Sequence, residues 1–371
     1  MNLSYWEIKS YLSNIDYTII GSGIVGLNCA LRLKERFPKA TIVILERGYL
    51  PQGASTKNAG FACFGSLSEI LDDLNTHSED EVIQLIEKRS KGLSLLRKTL
   101  SDKAIDYQQN GGYELFDQHD HEGYDYCMSH MDKVNALLKP HFKDDVFQIK
   151  DNPFNFENIQ KQLSFTPFEG QIDTGKMMRS LTDLALSKGI LILNAVSVER
   201  FKELNGNVQI ETDKFEFKTN QLLICTNGFA SKLIDAEVKP ARAQVLITKP
   251  IQNLKIKGTF HLDKGFYYFR NIDSRILLGG GRNLDFKTEE TTEMVQTEII
   301  QNKLEELLKT TILPKTSFEI EHRWSGIMGV GVTKQPIIKQ LSNRVFCGVR
   351  LGGMGIAIGS HVGRELADLV D

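Results

Sequence analysis

Near the start of the chain, three glycines and an acid stand at spacings that suit one kind of chemistry. Gly21-Ser22-Gly23-Ile24-Val25-Gly26 follows the β-branched run "YTII", and Glu46 closes a second apolar run, "ATIVILE". In such a pattern Gly21 permits a tight turn, Gly23 lets the backbone approach a pyrophosphate, and Gly26 lets a helix pack closely on a strand. The free N–H groups and positive dipole end of the following helix then face the phosphates. Glu46 stands where an acid accepts a hydrogen bond from a ribose hydroxyl. A glycine triplet alone is weak evidence. Strand, glycines, the helical stretch "LNCALRLKERF", strand and acid in register predict a dinucleotide-binding βαβ unit.

Two further segments bear on which dinucleotide. After Glu46-Arg47 comes "GYLPQGASTKNAGFACFGS", rich in small residues and poor in regular pattern. Its backbone is suited to pass close to a flat ring and offer it N–H groups. Near the end of the chain, "RVFCGVRLGGMGIAIGSHVGRELADLV" reads as strand, glycine-rich turn and helix, the helix opening around Gly353-Met354-Gly355-Ile356. A second helix start aimed at the cofactor favours a flavin, whose reduced ring carries negative charge that a helix dipole stabilises.

Taken in order, these stretches resemble the amine and amino-acid oxidoreductase group of FAD proteins, which includes D-amino-acid oxidase and dehydrogenase, glycine oxidase, sarcosine oxidase and gamma-glutamylputrescine oxidase. The resemblance also runs through "GQIDTGKMMRSLTDLALSKGILILNAV", "LLICTNGFAS", "PARAQ", "YYFRNIDSRILLGGG" and "WSGIMGVGVTKQPII", nearly the whole chain. It implies a Rossmann-like FAD-binding domain of α/β class with an interleaved α+β substrate domain carrying a mixed or antiparallel sheet. It implies that the segment holding Ser55, Thr56, Asn58, Ala59 and Gly60 lies along the flavin. Val196 would contact the adenine by its backbone, Thr226 to Gly228 would pass the pyrophosphate, and Gly353 to Ile356 would meet the pyrimidine edge. Some relatives attach FAD through a His or Cys. Asn58 stands at the corresponding His position and no Cys precedes Cys347 in the C-terminal region, so non-covalent FAD is expected.

In such proteins a C–H beside nitrogen leaves as hydride to flavin N5, and the imine hydrolyses. The cofactor carries the chemistry, while the protein positions a neutral amine and excludes water. The catalytic candidates are Tyr268 and Arg270, which share one face of a strand, with His322, Trp324 and Met328. Whether that face or Tyr267's meets the pocket is open. Packing is the competing reading for Tyr268 and Trp324, solvation for Arg270, and Arg242 in "PARAQ" is either a carboxylate ligand or structural. Amino-acid-oxidising relatives commonly carry an arginine where Met328 stands, and a thioether cannot make its bidentate carboxylate pair. That departure favours an amine whose carboxylate is remote or absent. A D-amino-acid dehydrogenase or oxidase is the alternative. A 2-hydroxy-acid or glycerol-phosphate type dehydrogenase, or a flavin-binding subunit of a larger complex, are the further ones. Oxygen or a quinone would accept the electrons.

The 371 residues suffice for two domains, and 45 basic against 47 acidic residues give no field that favours nucleic acid. No apolar run reaches membrane-spanning length. Five scattered cysteines predict neither a disulfide framework nor a zinc site and suit a reducing cytoplasm. His119-Asp120-His121 reads as a solvated loop, and no metal is expected. The absence of a Pro/Gly/Ser linker predicts a discontinuous arrangement: 1–75, 155–235 and 322–371 bind FAD, while 76–154 and 236–321 form the substrate domain. Helices are predicted over "SEDEVIQLIEKRSKGLSLLRKTL" and "TEMVQTEIIQNKLEELLKT", and a hairpin around Asn110-Gly111-Gly112. Paired strands are predicted to turn at Asp273-Ser274, and the amphipathic lead-in "MNLSYWEIKSYLSN" to dock on the first domain.

Overall fold

The computed structural model describes residues 2–370. Its first sheet is built on five parallel strands in the order Val345–Val349, Glu216–Ile224, Ile15–Ile20, Ile42–Glu46 and Leu191–Asn194. Helices cover one face, so the central strands are buried runs of Ile, Val and Leu rather than alternating ones. The helices Ile24–Arg36 and Gly355–Asp368 lie against each other there, close enough that a Cβ on Gly363 would sit 2.6 Å from the Val25 carbonyl. Both start beyond the C-terminal end of a parallel strand, where open α/β sheets bind ligands. Antiparallel strands Val198–Glu203 and Val208–Thr212 continue from Glu216–Ile224 and close a second core with Val43, Leu45 and Ile224.

The second sheet has eight strands in the order Ile320–Val330, Lys239–Thr248, Arg275–Gly280, Tyr267–Ile272, Thr259–Leu262, Gly112–Leu115, Gln162–Thr166 and Gln148–Asp151. All neighbours are antiparallel except Thr259–Leu262 on Gly112–Leu115, so the sheet is mixed. One face packs Phe260 on Phe269, rings stacked 4.5 Å apart, together with Ile300 and Leu304 of the helix Glu298–Leu307. The other presents Tyr268, Val245 and Leu277 to the segment around Ala59. The strands Gln162–Thr166 and Ile320–Val330 belong to this sheet, and we propose a division that assigns them to it rather than to the dinucleotide unit.

Several local expectations hold. Residues Glu79–Leu100 form a helix opened by a Ser78–Glu81 capping box. Tyr267–Ile272 and Arg275–Gly280 pair through Asp273 and Ser274, both at positive φ (47° and 60°), which is the turn that matches strand twist. Two expectations need correction. No hairpin forms at Asn110-Gly111-Gly112: the strand after it pairs with residues 162–166 and 259–262, distant partners that outcompete the local turn. The helix expected from 292 begins at Glu298 and ends in a wider turn over Leu308–Ile312. The lead-in does dock on the first sheet: Leu3 and Leu12 pack into its second core, while the short helix between them, Tyr5–Tyr11, capped by Ser4, buries no residue and turns Tyr5, Trp6, Ile8 and Tyr11 outward.

Candidate functional site

A cavity of about 600 Å³ runs from the C-terminal edge of the first sheet to the inner face of the second. At its first end the backbone does the shaping. Gly21 has φ +103°, and a Cβ there would lie 2.9 Å from the Cys225 carbonyl; a Cβ on Gly26 would lie 2.0 Å from the Gly21 carbonyl. Neither position has room for another residue. Gly23 and Ile24 line the cavity, where the Ile24 N–H donates to the Ser55 hydroxyl at 2.9 Å. Ser22 lies behind, 1% exposed, and fixes Glu46: its N–H and hydroxyl donate to one carboxylate oxygen at 3.2 and 2.8 Å, and the Gly48 N–H donates to the other at 3.0 Å. Thr226 lines the same end with a buried hydroxyl that has no hydrogen-bond partner. Arg47 stacks on Phe229, 3.7 Å from the ring centroid, and burial lowers its pKa. Val196 borders the cavity, its N–H spent on the Glu46 carbonyl.

Along the middle runs the segment from Gly53 to Phe61. Asn58 locks it: its amide donates to Ala54 and Ser55 carbonyls at 3.0 and 2.9 Å, and its oxygen accepts from the Gly60 N–H and Thr174 hydroxyl at 2.8 and 3.0 Å. Opposite, Gly353, Met354, Gly355 and Ile356 bring the second helix start to the wall, and Met354 Sδ sits 3.6 Å from Cys63 Sγ. Burial, with Glu169 and Glu69 nearby, pushes the Cys63 thiol well up, so it stays protonated.

The second end is made of side chains. Tyr268 reaches the cavity, packed edge-on to Phe61, and burial pushes its phenol up to about 12. Met328 lines it too, beside Gly353. His261, opposite Tyr268 in the strand register, donates its Nε2–H to the Glu169 carboxylate at 3.0 Å. Burial disfavours its charge, but Glu169, Glu69 and Glu114 outweigh that and raise its pKa to about 9. Lys264 pairs with Asp72 at 2.8 Å and Lys334 with Asp73 at 2.5 Å. Among the described residues, Cys63, Glu169 and His261 are the one group close enough to suggest a metal ligand set. The His261 nitrogen nearest the carboxylate is already spent on it, so the group reads as an ion pair with a thiol beside it. His119 and His121 belong to no such group.

Four candidates lie outside the cavity wall. Arg270, 2% exposed, turns behind the middle segment and donates to the carbonyls of Ala59 and Ile172, the latter at 2.9 Å; burial brings its pKa down to about 10. It holds the wall rather than a substrate. Trp324 does likewise, its indole N–H donating to the Lys57 carbonyl at 2.9 Å, and His322 stacks on its outer side in solvent. Arg242 is buried in a bidentate pair with Glu289 at 2.9 and 2.6 Å. Thr56 and Gly228 are likewise packing positions: the Thr56 hydroxyl donates to Pro51, and a Cβ on Gly228 would strike the Met328 carbonyl. Sequence reasoning missed His261, Arg282 and Lys264, which line the cavity. His261 stands seven residues before Tyr268 and becomes its neighbour only when their strands pair.

A parallel sheet with two helix starts, a fixed acid and a long cavity closed by a mixed sheet is the arrangement of a dinucleotide-binding protein. The chain belongs to the family of FAD dependent oxidoreductases, whose model matches residues 16–369. It is 22% identical to the gamma-glutamylputrescine oxidoreductase of Escherichia coli over 96% of this chain and 83% of that one. It is 20% identical to the probable oxidoreductase OrdL of Haemophilus influenzae over 97% and 83%. Among solved structures it resembles glycine oxidase from Geobacillus kaustophilus, with TM-score 0.78 and 18% identity over 96% of this chain and 94% of that one. L-proline dehydrogenase from P. horikoshii gives 0.74 and 17% over 96% and 93%. The protein is therefore an FAD-dependent oxidoreductase of a family that acts on amines and amino acids.

Proposed function

We propose that the protein oxidises the C–N bond of an amine whose carboxylate is remote from the reacting carbon or absent, to an imine that hydrolyses. The carrying observation is Met328 on the cavity wall, with no cationic group at that position to pair with an α-carboxylate. Gamma-glutamylputrescine oxidoreductase, a relative over most of the chain, is named for a substrate of that kind.

The residues fit FAD. Gly23 lines the cavity at the helix start, where a pyrophosphate would lie beside the Ser55 hydroxyl that the Ile24 N–H holds, Glu46 is held ready for a ribose hydroxyl, and the orphaned Thr226 hydroxyl awaits a polar partner. The middle segment would line the ring and Gly355 would open the helix at its pyrimidine edge. Bound there, FAD would supply the hydride acceptor. The fully engaged Asn58 and the protonated Cys63 favour non-covalent attachment. Tyr268 stays protonated and offers a hydroxyl without adding charge. Phe61 and Met328 give the reacting carbon an apolar surround that excludes water and suits a neutral amine. Five buried free cysteines favour the cytoplasm, and no helix among the described residues is long and apolar enough to cross a membrane.

The test is anaerobic bleaching of the yellow flavin band by acylated and plain diamines, sarcosine and a set of D-amino acids. Bleaching by amines is the expected result. Bleaching by D-amino acids alone would overturn the reading and make another group the α-carboxylate anchor.

A further inference from the structure

Cationic side chains on the substrate half of the cavity are mostly engaged. Lys264 pairs with Asp72, Lys334 with Asp73, and Arg350 donates to the Gln335 carbonyl and the Thr333 hydroxyl. Lys57, in the middle segment, and Arg282 differ. Arg282 lines the cavity, half-buried, and among the described residues its guanidinium makes no hydrogen bond or ion pair. Nearby acids are committed elsewhere: Asp263 accepts from Asn283 at 2.9 Å, and Asp285 caps the turn at Thr288. Burial lowers the pKa of Arg282, and no carboxylate offsets it.

Its position is nonetheless fixed. The strand Arg275–Gly280 passes Tyr267 and Gln244 at Gly280, which lines the cavity. Gly281 turns the chain at φ +83°, and Arg282 then lies over Phe286, 4.9 Å from the ring centroid, while Phe286 packs edge-on to Phe266 of the cavity wall. A guanidinium seated over an aromatic ring makes no hydrogen bond to it through its N–H groups, and those are the groups that grip a carboxylate. A desolvated cation without a partner is costly unless a ligand supplies one.

We propose that Arg282 determines specificity by binding a carboxylate at the end of the substrate remote from the reacting amine. This deepens the amine reading and rests on it. Met328, Phe61 and Tyr268 then surround the reacting carbon, and Arg282 takes the charge that Met328 cannot.

The test compares two monoacylated diamines, N-glutaryl-1,4-diaminobutane and N-butyryl-1,4-diaminobutane, on the flavin-loaded enzyme. In Arg282→Met the KM for the glutaryl compound should rise about tenfold or more, with kcat little changed, while the butyryl compound shifts by less than about twofold. Arg282→Lys should recover part of the loss. An equal change for both compounds, or none for either, overturns the proposal. If neither amine reduces the wild-type flavin, the amine reading fails by itself. Succinate titration of the flavin band then tests Arg282 without turnover. Weaker succinate binding in Arg282→Met, at unchanged flavin content, supports the assignment, and equal binding overturns it. If Arg282→Met fails to hold flavin, Arg282→Gln serves in the same comparisons.

Discussion

The two ends of the cavity are built from different materials. At the phosphate end, recognition is a matter of backbone: two glycines with no space for a Cβ, helix N–H groups, and one acid anchored by its neighbours Ser22 and Gly48. At the substrate end it is a matter of long side chains: His261 against Glu169, Lys264 against Asp72, and Arg282 without an acid. Backbone recognition tolerates little change and serves a ligand common to a family. Side-chain recognition can be rewritten residue by residue, which suits the part of the molecule that sets the substrate.

If that contrast is right, damage at the two ends should read out differently. The largest effect is expected from Glu169→Ala, which leaves His261 buried without its counter-charge. Stability should fall by about 3–5 kcal/mol in chemical denaturation. At the other end, Gly26→Ala drives a Cβ to 2.0 Å from the Gly21 carbonyl, and the strand and helix must part. A loss of about 1–3 kcal/mol is expected with lowered flavin content, because the pyrophosphate cradle moves with them. A change in substrate KM at full flavin occupancy would break the distinction between the ends.

The pH dependence sharpens it. His261 has its pKa raised from 6.5 to about 9 by Glu169, Glu69 and Glu114 against the opposing effect of burial. A raised pKa means that the folded state holds the proton more tightly than the unfolded one. The stabilisation is therefore complete below pH 6.5 and is lost as pH rises toward about 9, so the melting temperature should fall across that window. In Glu169→Gln the fall should be much shallower. The smallest effect is expected from Trp324→Phe, which removes one hydrogen bond to the Lys57 carbonyl. About 1 kcal/mol of stability should go, with flavin binding retained.

Much of the first end was legible because its signals are local. A glycine that must turn, a helix that must begin, and an acid closing the next strand all lie within a few dozen residues, and each needs a residue type that little else can replace. The Asp273-Ser274 turn was legible for the same reason. The hairpin expected at Gly111 was not, since the strand that follows takes partners from residues 162–166 and 259–262. Arg270 and Arg242 stayed open between a ligand's role and solvation or structure because arginine in a strand signals charge without saying what answers it. In the fold, carbonyls of the middle segment answer Arg270, and Glu289 answers Arg242.

By itself, the sequence determined the dinucleotide unit, the two helix starts and the departure at Met328, because period, turn chemistry and residue type act over short range. Tertiary structure alone decided which charges are paired and which face the cavity. Strand register made His261 a neighbour of Tyr268 and brought Arg282 to the wall without an acid beside it. Pairing across a sheet joins residues far apart in the chain, and a charge's role depends on what that pairing puts next to it.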